Sequence, residues 1–252
     1  MVENRSESAQ YLDLWKMGGF LRLPTTKHRD IRFASHTDSA IYSQYAAKLN
    51  PIYESYIEKM SLGDVVLAYR SGIGYNVPFA KSLIDEIKRR GNCIVMCLDV
   101  SGFFDNISHK ILKNNLCEVL DTNHLSTDLF KIYTRLTKYE YVLREELELK
   151  LGKSKGKRLC GIDTFRTVVR PLIKRNTHKF GIPQGTPLSG LLANISMINF
   201  DRVLNDKISM YGLRNPPIFH RSRYCADSLR FSTKRWNAWM RVDHGNCSIE
   251  KA

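Results

Sequence analysis

Gly181-Ile182-Pro183-Gln184-Gly185-Thr186-Pro187-Leu188-Ser189-Gly190, running straight into Leu191-Leu192-Ala193-Asn194-Ile195, is the stretch whose reading decides the fold. Its glycines bracket a Pro-Gln pair on a constrained backbone, and a residue without Cβ lets another chain or a ligand approach closely. The apolar run that follows predicts a helix over about 189–209, with Ser189 as its cap. Two further stretches flank this one. Cys97-Leu98-Asp99-Val100-Ser101-Gly102-Phe103-Phe104-Asp105 closes an apolar run from Cys93 that suits a strand buried on both faces. Arg223-Tyr224-Cys225-Ala226-Asp227-Ser228 falls where 222–225 and 228–232 read as the arms of a tight hairpin.

The chain has 252 residues, 43% of them hydrophobic, enough for one large domain or two closely associated ones with a real core. No run of about 18 apolar residues predicts a membrane span. The opening Met-Val-Glu-Asn-Arg-Ser-Glu-Ser lacks the basic start and apolar run of a secretory signal, so a cytoplasmic protein is expected. Six cysteines, at 93, 97, 117, 160, 225 and 247, show no zinc-type spacing and read as reduced structural thiols. The formal charge of +14 calls for a polyanionic partner, most simply nucleic acid. That charge is concentrated: ten Lys/Arg fall between Lys150 and Lys179 against the single acid Asp163. Within it, Lys153, Lys155, Lys157 and Arg158 lie in a Gly- and Lys-rich loop and are the expected phosphate contacts.

In chain order, the pattern predicts a helix over about 7–18, an extended segment at 27–34, and one or two helices over 39–60 broken near Asn50-Pro51. Tyr42, Tyr45, Leu49, Tyr53 and Tyr56 recur at helical spacing and read as core. A short strand at 65–70 and a helix at about 78–90 precede the strand that ends at Asp99. From Phe104 a helix is expected through about Leu120, with Asp105 or Ser108 as cap, then helices at about 126–137 and 163–175.

The apolar strand with its Asp, the Pro-Gln-Gly loop and the Tyr-Cys-x-Asp hairpin, in that order, resemble the palm motifs of bacterial reverse transcriptases, nearest to the abortive-infection and defence branch and more distantly to retron and group II intron enzymes. Arg29-x-Ile31 with Phe33-Ala34-Ser35-His36-Thr37-Asp38, and Ala68-Tyr69-Arg70 with Phe79-Ala80-Lys81, look like that branch's fingers motifs. The resemblance implies an α+β right-hand polymerase with an antiparallel palm sheet packed on helices. Residues 1–92 would be fingers and 93–252 palm, with part of the fingers at about 150–180 and the thumb absent or truncated.

The family reaction adds deoxynucleotides to a 3′-hydroxyl or a protein hydroxyl, with Mg²⁺ as cofactor. RNA template or structured non-coding RNA, DNA product and deoxynucleotides are the implied partners, no membrane is implied, and a homo-oligomer is left open. The setting would be the bacterial cytoplasm, in antiphage defence. Two metals need rigid carboxylate cages; Asp99, with Val100 beside it, and Asp227 are the implied metal-binding residues. Phe104, five residues past Asp99, is the implied steric gate against a 2′-hydroxyl, unless it and Phe103 are core. Gln184 and Gly185 would contact nucleotide or template. Among Lys27, Arg29 and Arg32, Arg29 fits the triphosphate contact best. The family pattern is Tyr-x-Asp-Asp, and Ala226 stands at the first Asp. That departure implies an inactive chain, or a catalytically silent nucleic-acid-binding module that keeps the fold.

Overall fold

The structure, a computed structural model, describes residues 2–8, 27–63, 66–70, 76–90, 93–96, 100, 102–152, 160–210, 238–243 and 246–251. It is mixed α+β and mostly helical. The chain divides into two compact units, one of 1–45, 104–110 and 125–189, the other of 46–103, 111–124 and 190–252.

The first unit carries a four-stranded sheet. Its strands are β1 (Val2–Ser8), β2 (Lys27–Phe33), β4 (Glu140–Leu143) and β5 (Lys174–Arg175), in the order β2-β1-β4-β5. β1 runs antiparallel to β2 from Val2↔Phe33 to Ser8↔Lys27 and parallel to β4 at Val2↔Val142. The segment expected as extended at 27–34 is β2. Glu7 and Ser8, placed by the pattern in a helix, belong to β1, where pairing with His28 and Lys27 fixes them extended; 9–18 lie outside the described residues. Helix α4 (Thr127–Thr137) matches its expectation, and α5 (Arg144–Leu151) follows β4. Val142, Leu147 and Val169 form a small core, with Leu151, Cys160, Leu172 and Ile173 packed on it. The helix expected over 163–175 is a composite. A short α6 (Ile162–Thr164) leads into a π-turn (Phe165–Val169) and a 3₁₀ turn (Arg170–Leu172), which ends just after Pro171 so that Lys174 can pair with Tyr141.

α1 (His36–Lys59) is one continuous helix despite Pro51. Proline removes one N–H and crowds the carbonyl four residues back. Here Pro51 and Ala47 are both exposed, so water can take the orphaned carbonyl, while buried Leu49, Tyr53 and Ile57 hold both halves in line. The aromatic stripe is largely core, as expected: Tyr42, Leu49 and Tyr53 are buried, whereas half-buried Tyr45 and Tyr56 turn their hydroxyls to Asp128 and Glu118.

The second unit holds the rest of α1, α2 (Asn76–Arg90), β3 (Cys93–Met96), α3 (His109–Val119) beyond Lys110, α7 (Ser189–Ser196) from Gly190 on, and α8 (Ile198–Met210). β3 pairs antiparallel with β6 (Ala238–Asp243), and β6 with β7 (Asn246–Lys251). The sequence pattern predicts no strand at 238–251. Of the expected strand at 65–70, described residues 66–70 form turns instead. Side chains replace its ladder: buried Arg70 donates to Val66 O at 3.1 Å and to Gly63 O, and grips Glu54 at 2.7 and 2.9 Å. Asn194 Nδ2 donates to Ala68 O at 2.7 Å.

The helix expected over 189–209 is broken at Met197. Leu191 to Ile195 are all buried, so this stretch of α7 has no solvent face, and the Ile195 carbonyl needs a protein partner. Asn115 supplies it, donating Nδ2 to Ile195 O at 2.8 Å and to Ser196 O at 3.3 Å, while its Oδ1 accepts from Asn199 at 3.0 Å. Among the described residues no helix is long and apolar enough to cross a membrane.

Replacing Asn115 with Ala leaves the buried Ile195 carbonyl unmet, a cost of about 1–3 kcal/mol. Thermal unfolding should register a drop of roughly 2–10 °C. Asn114→Ala, exposed one residue earlier on α3, should leave the midpoint nearly unchanged.

Candidate functional site

The Pro-Gln-Gly loop is held on three sides within the first unit. From the first side, Asn176 donates Nδ2 to Thr137 O at 2.9 Å and Phe180 O at 3.1 Å, and its N–H reaches Tyr139 O at 2.9 Å. Its Oδ1 accepts from His178 N. One buried amide thus ties the loop's start to the α4–β4 junction.

The second side is the turn that begins at Phe104. The helix expected from Phe104 is a single 3₁₀ turn (Phe104–Asn106), and α3 starts only at His109. The reason is the loop itself: Ile182 N donates to Phe104 O and Gly181 N to Ile107 O, each at 2.9 Å, and Ser108 bridges Phe180. These ties hold the turn's backbone against the loop. His109 Nε2 lies 2.7 Å from Gly181 O, and its N–H donates to Lys179 O at 3.1 Å. Tyr133 Oη donates to His109 O at 2.8 Å; burial pushes that phenol up to about 12.

The third side is β2. Arg32 N donates to Gln184 O at 2.8 Å. The Arg32 side chain is only 8% exposed and faces the Asp105 carboxylate at 3.6 Å. Its guanidinium stands 4.9 Å from the Tyr139 ring centre and 5.3 Å from that of Tyr141. A buried cation is costly unless paired, and two aromatic faces with one carboxylate supply the compensation. Asp105, expected as a helix cap, therefore serves as the counter-ion of Arg32. Ser189, also expected as a cap, directs its hydroxyl back to Pro183 O at 2.6 Å and shares a hydrogen bond with Thr186. It closes the loop from the inside.

Gly185 has φ +109°, and a Cβ there would lie 2.7 Å from Ile31 Cγ2 and 3.2 Å from Arg32 O. Gly181 has φ +92°, and its Cβ would meet Asp105 O at 3.0 Å. Both glycines are needed for the same reason: β2 and the Phe104 turn touch the loop backbone directly.

The structure therefore brings Phe104, Gln184 and Gly185 together, with Asp105 and Arg32 beside them. Arg29, on β2, pairs directly with Ser6 of β1. Val100 is exposed. Asp99, Ala226, Asp227, Lys153, Lys155, Lys157 and Arg158 lie outside the described residues. Among the described residues no group of three acids, histidines or cysteines could hold a metal. Sequence reasoning missed Tyr139 and Tyr141. Their signal was the alternation Tyr139-Glu140-Tyr141-Val142, which puts both tyrosines on one face of a strand.

No protein-family model matches the chain, and no curated protein matches it at a significant level.

Gly185→Ala should destabilise by about 2–4 kcal/mol, combining a disfavoured φ with contact against β2. Gly152→Ala also has positive φ, but a Cβ there meets nothing within 4 Å, so it should cost clearly less. Chemical denaturation of the two variants side by side measures the difference; equal midpoints would refute the close approach.

Proposed function

We propose that the chain is a nucleotidyltransferase of reverse transcriptase type, with fingers at 1–92 and palm at 93–252, part of the fingers returning at about 150–180. Its substrates would be deoxynucleotides and an RNA template or structured non-coding RNA. One observation carries the reading. The turn five residues past Asp99 and the Pro-Gln-Gly loop, 78 positions apart by their numbers (Ile182 against Phe104), are joined backbone to backbone. A polymerase needs that juxtaposition, because the residues around the incoming sugar and those under the nucleotide must share one rigid wall.

In this reading the Phe104 ring meets the sugar. Gln184 and Gly185 form the floor, which β2 backs directly where Gly185 lacks a Cβ. Arg32 positions rather than binds: its N–H fixes the loop and its guanidinium faces Asp105, which leaves Lys27 and Arg29, of which Arg29 fits the triphosphate best. Asp99 and Asp227 offer carboxylate oxygens, the donor type that Mg²⁺ prefers. Asp105 does not join them, since its carboxylate faces Arg32. Bound there, Mg²⁺ neutralises phosphate charge.

A second reading rests on Ala226. A methyl group offers no oxygen where the family pattern has a carboxylate, which favours a silent nucleic-acid-binding module. The two readings part in one assay. Ala226→Asp should raise template-directed synthesis roughly a thousandfold, equivalent to about 4 kcal/mol of transition-state stabilisation, and adding Asp99→Ala should abolish it. Vigorous synthesis by the Ala226 protein would overturn the hairpin as the metal site. Synthesis by neither protein would favour the silent module.

In the Ala226→Asp protein, Phe104→Ala should raise ribonucleotide over deoxyribonucleotide incorporation by roughly tenfold or more. The Phe104 carbonyl still accepts from Ile182 after truncation, so the change reads the ring alone. If Phe103→Ala shifts sugar choice and Phe104→Ala does not, the gate is Phe103.

A further inference from the structure

One face of α4 carries a feature that neither the Pro-Gln-Gly loop nor the 150–158 segment uses. Phe130, Lys131, Thr134 and Arg135 of α4, its C-cap Lys138, and Arg175 of β5 line an open recess of about 400 Å³. Lys131, Arg135 and Lys138 follow at four- and three-residue steps, so they share one helix face over about 10 Å. Among the described residues none of these three forms an ion pair; Arg135 only eases the phenol of Tyr42, which burial and Asp38 push up. Arg175 reaches Glu140 at 3.9 Å, with both side chains exposed. Phe130 is 46% exposed, and Tyr133 braces its ring at 6.1 Å and 25°.

We propose that this face of α4 binds the backbone of a single-stranded nucleic acid, the four cations taking phosphates and Phe130 stacking on a base. Like charges do not gather around an open recess without cost, and a polyanion supplies the missing counter-charge. An exposed aromatic among cations is the arrangement that holds single strands without sequence preference. An acidic peptide would satisfy the cations but would make no use of the exposed face of Phe130. The inference stands apart from the polymerase reading: it needs neither the metal site nor synthesis, so failure of either leaves the other intact.

The experiment is fluorescence anisotropy of the full chain with a labelled oligouridylate, repeated over a salt series. Lys131→Glu/Arg135→Glu/Lys138→Glu should weaken binding by about tenfold or more and flatten the slope of log K against log salt by about 2, near 0.7 for each phosphate no longer neutralised. Lys59→Glu/Lys88→Glu/Lys110→Glu changes net charge equally on other exposed positions and should weaken it by less than about threefold. Phe130→Ala keeps every charge, and so serves if charge reversal upsets folding. It should weaken binding about tenfold with the slope unchanged. Equal losses from the two triple variants, an unaltered affinity for Phe130→Ala, or competition by polyglutamate as strong as by the oligonucleotide would each overturn the proposal.

Discussion

The buried amide of Asn176 is the constraint on which the first unit depends. Its nitrogen reaches backward to Thr137 and forward to Phe180, and its backbone N–H reaches Tyr139. It thereby fixes where the chain leaves β5 and enters the loop. Everything downstream follows from that register. Gly181 and Ile182 arrive opposite Ile107 and Phe104, and Gln184 opposite Arg32. Each of those contacts uses backbone groups that must be matched when buried. A shift of one residue would break several together, so the arrangement is cooperative rather than a sum of weak ties.

Arg32 contributes a different kind of rigidity. A guanidinium held between two tyrosines and an acid has few alternative positions, and its planar fork loses little freedom on binding. Because the same residue bonds the loop through its N–H, side-chain burial and backbone register reinforce each other. The second unit solves a similar problem with amides as well as charge: Asn115 and Asn194 meet carbonyls that α7 and the 66–70 segment leave inside, beside the Arg70–Glu54 pair. Neutral amides suit that setting, since they carry no desolvation penalty of an ion.

Much of the scaffold was legible from periodicity. α1, α2, α4 and β2 follow from the spacing of apolar residues, and the extended conformation at 93–96 from an unbroken apolar run. The failures share a cause. Pro51 did not break α1, the Phe104 segment did not continue as a helix, and the helix after Ser189 did break, because distant partners decided each case. Ile182 and Gly181 claim the carbonyls of Phe104 and Ile107, and Asn115 rewards the break at Met197. No local pattern carries that information. At the candidate site the residue types of the loop and its glycines could be read directly, whereas the contact of Asp105 with Arg32 and that of the Ser189 hydroxyl within the loop could not. Arg32 looked like one basic residue among three, and only its burial sets it apart.

The pairing of β3 with β6 bears on how the chain comes into being. Cys93 meets Val242, so the strand must wait for 149 further residues, by the difference of their numbers, before its neighbour exists. At synthesis rates of about 5–20 residues per second that interval is roughly 7–30 s. During it an apolar strand has an unpaired edge, the condition under which nascent chains recruit the wrong neighbour. The parallel pairing of β1 with β4 imposes a similar wait on the chain's first strand. Cellular yield of this protein should therefore depend on chaperone supply during translation more steeply than its native stability alone would suggest.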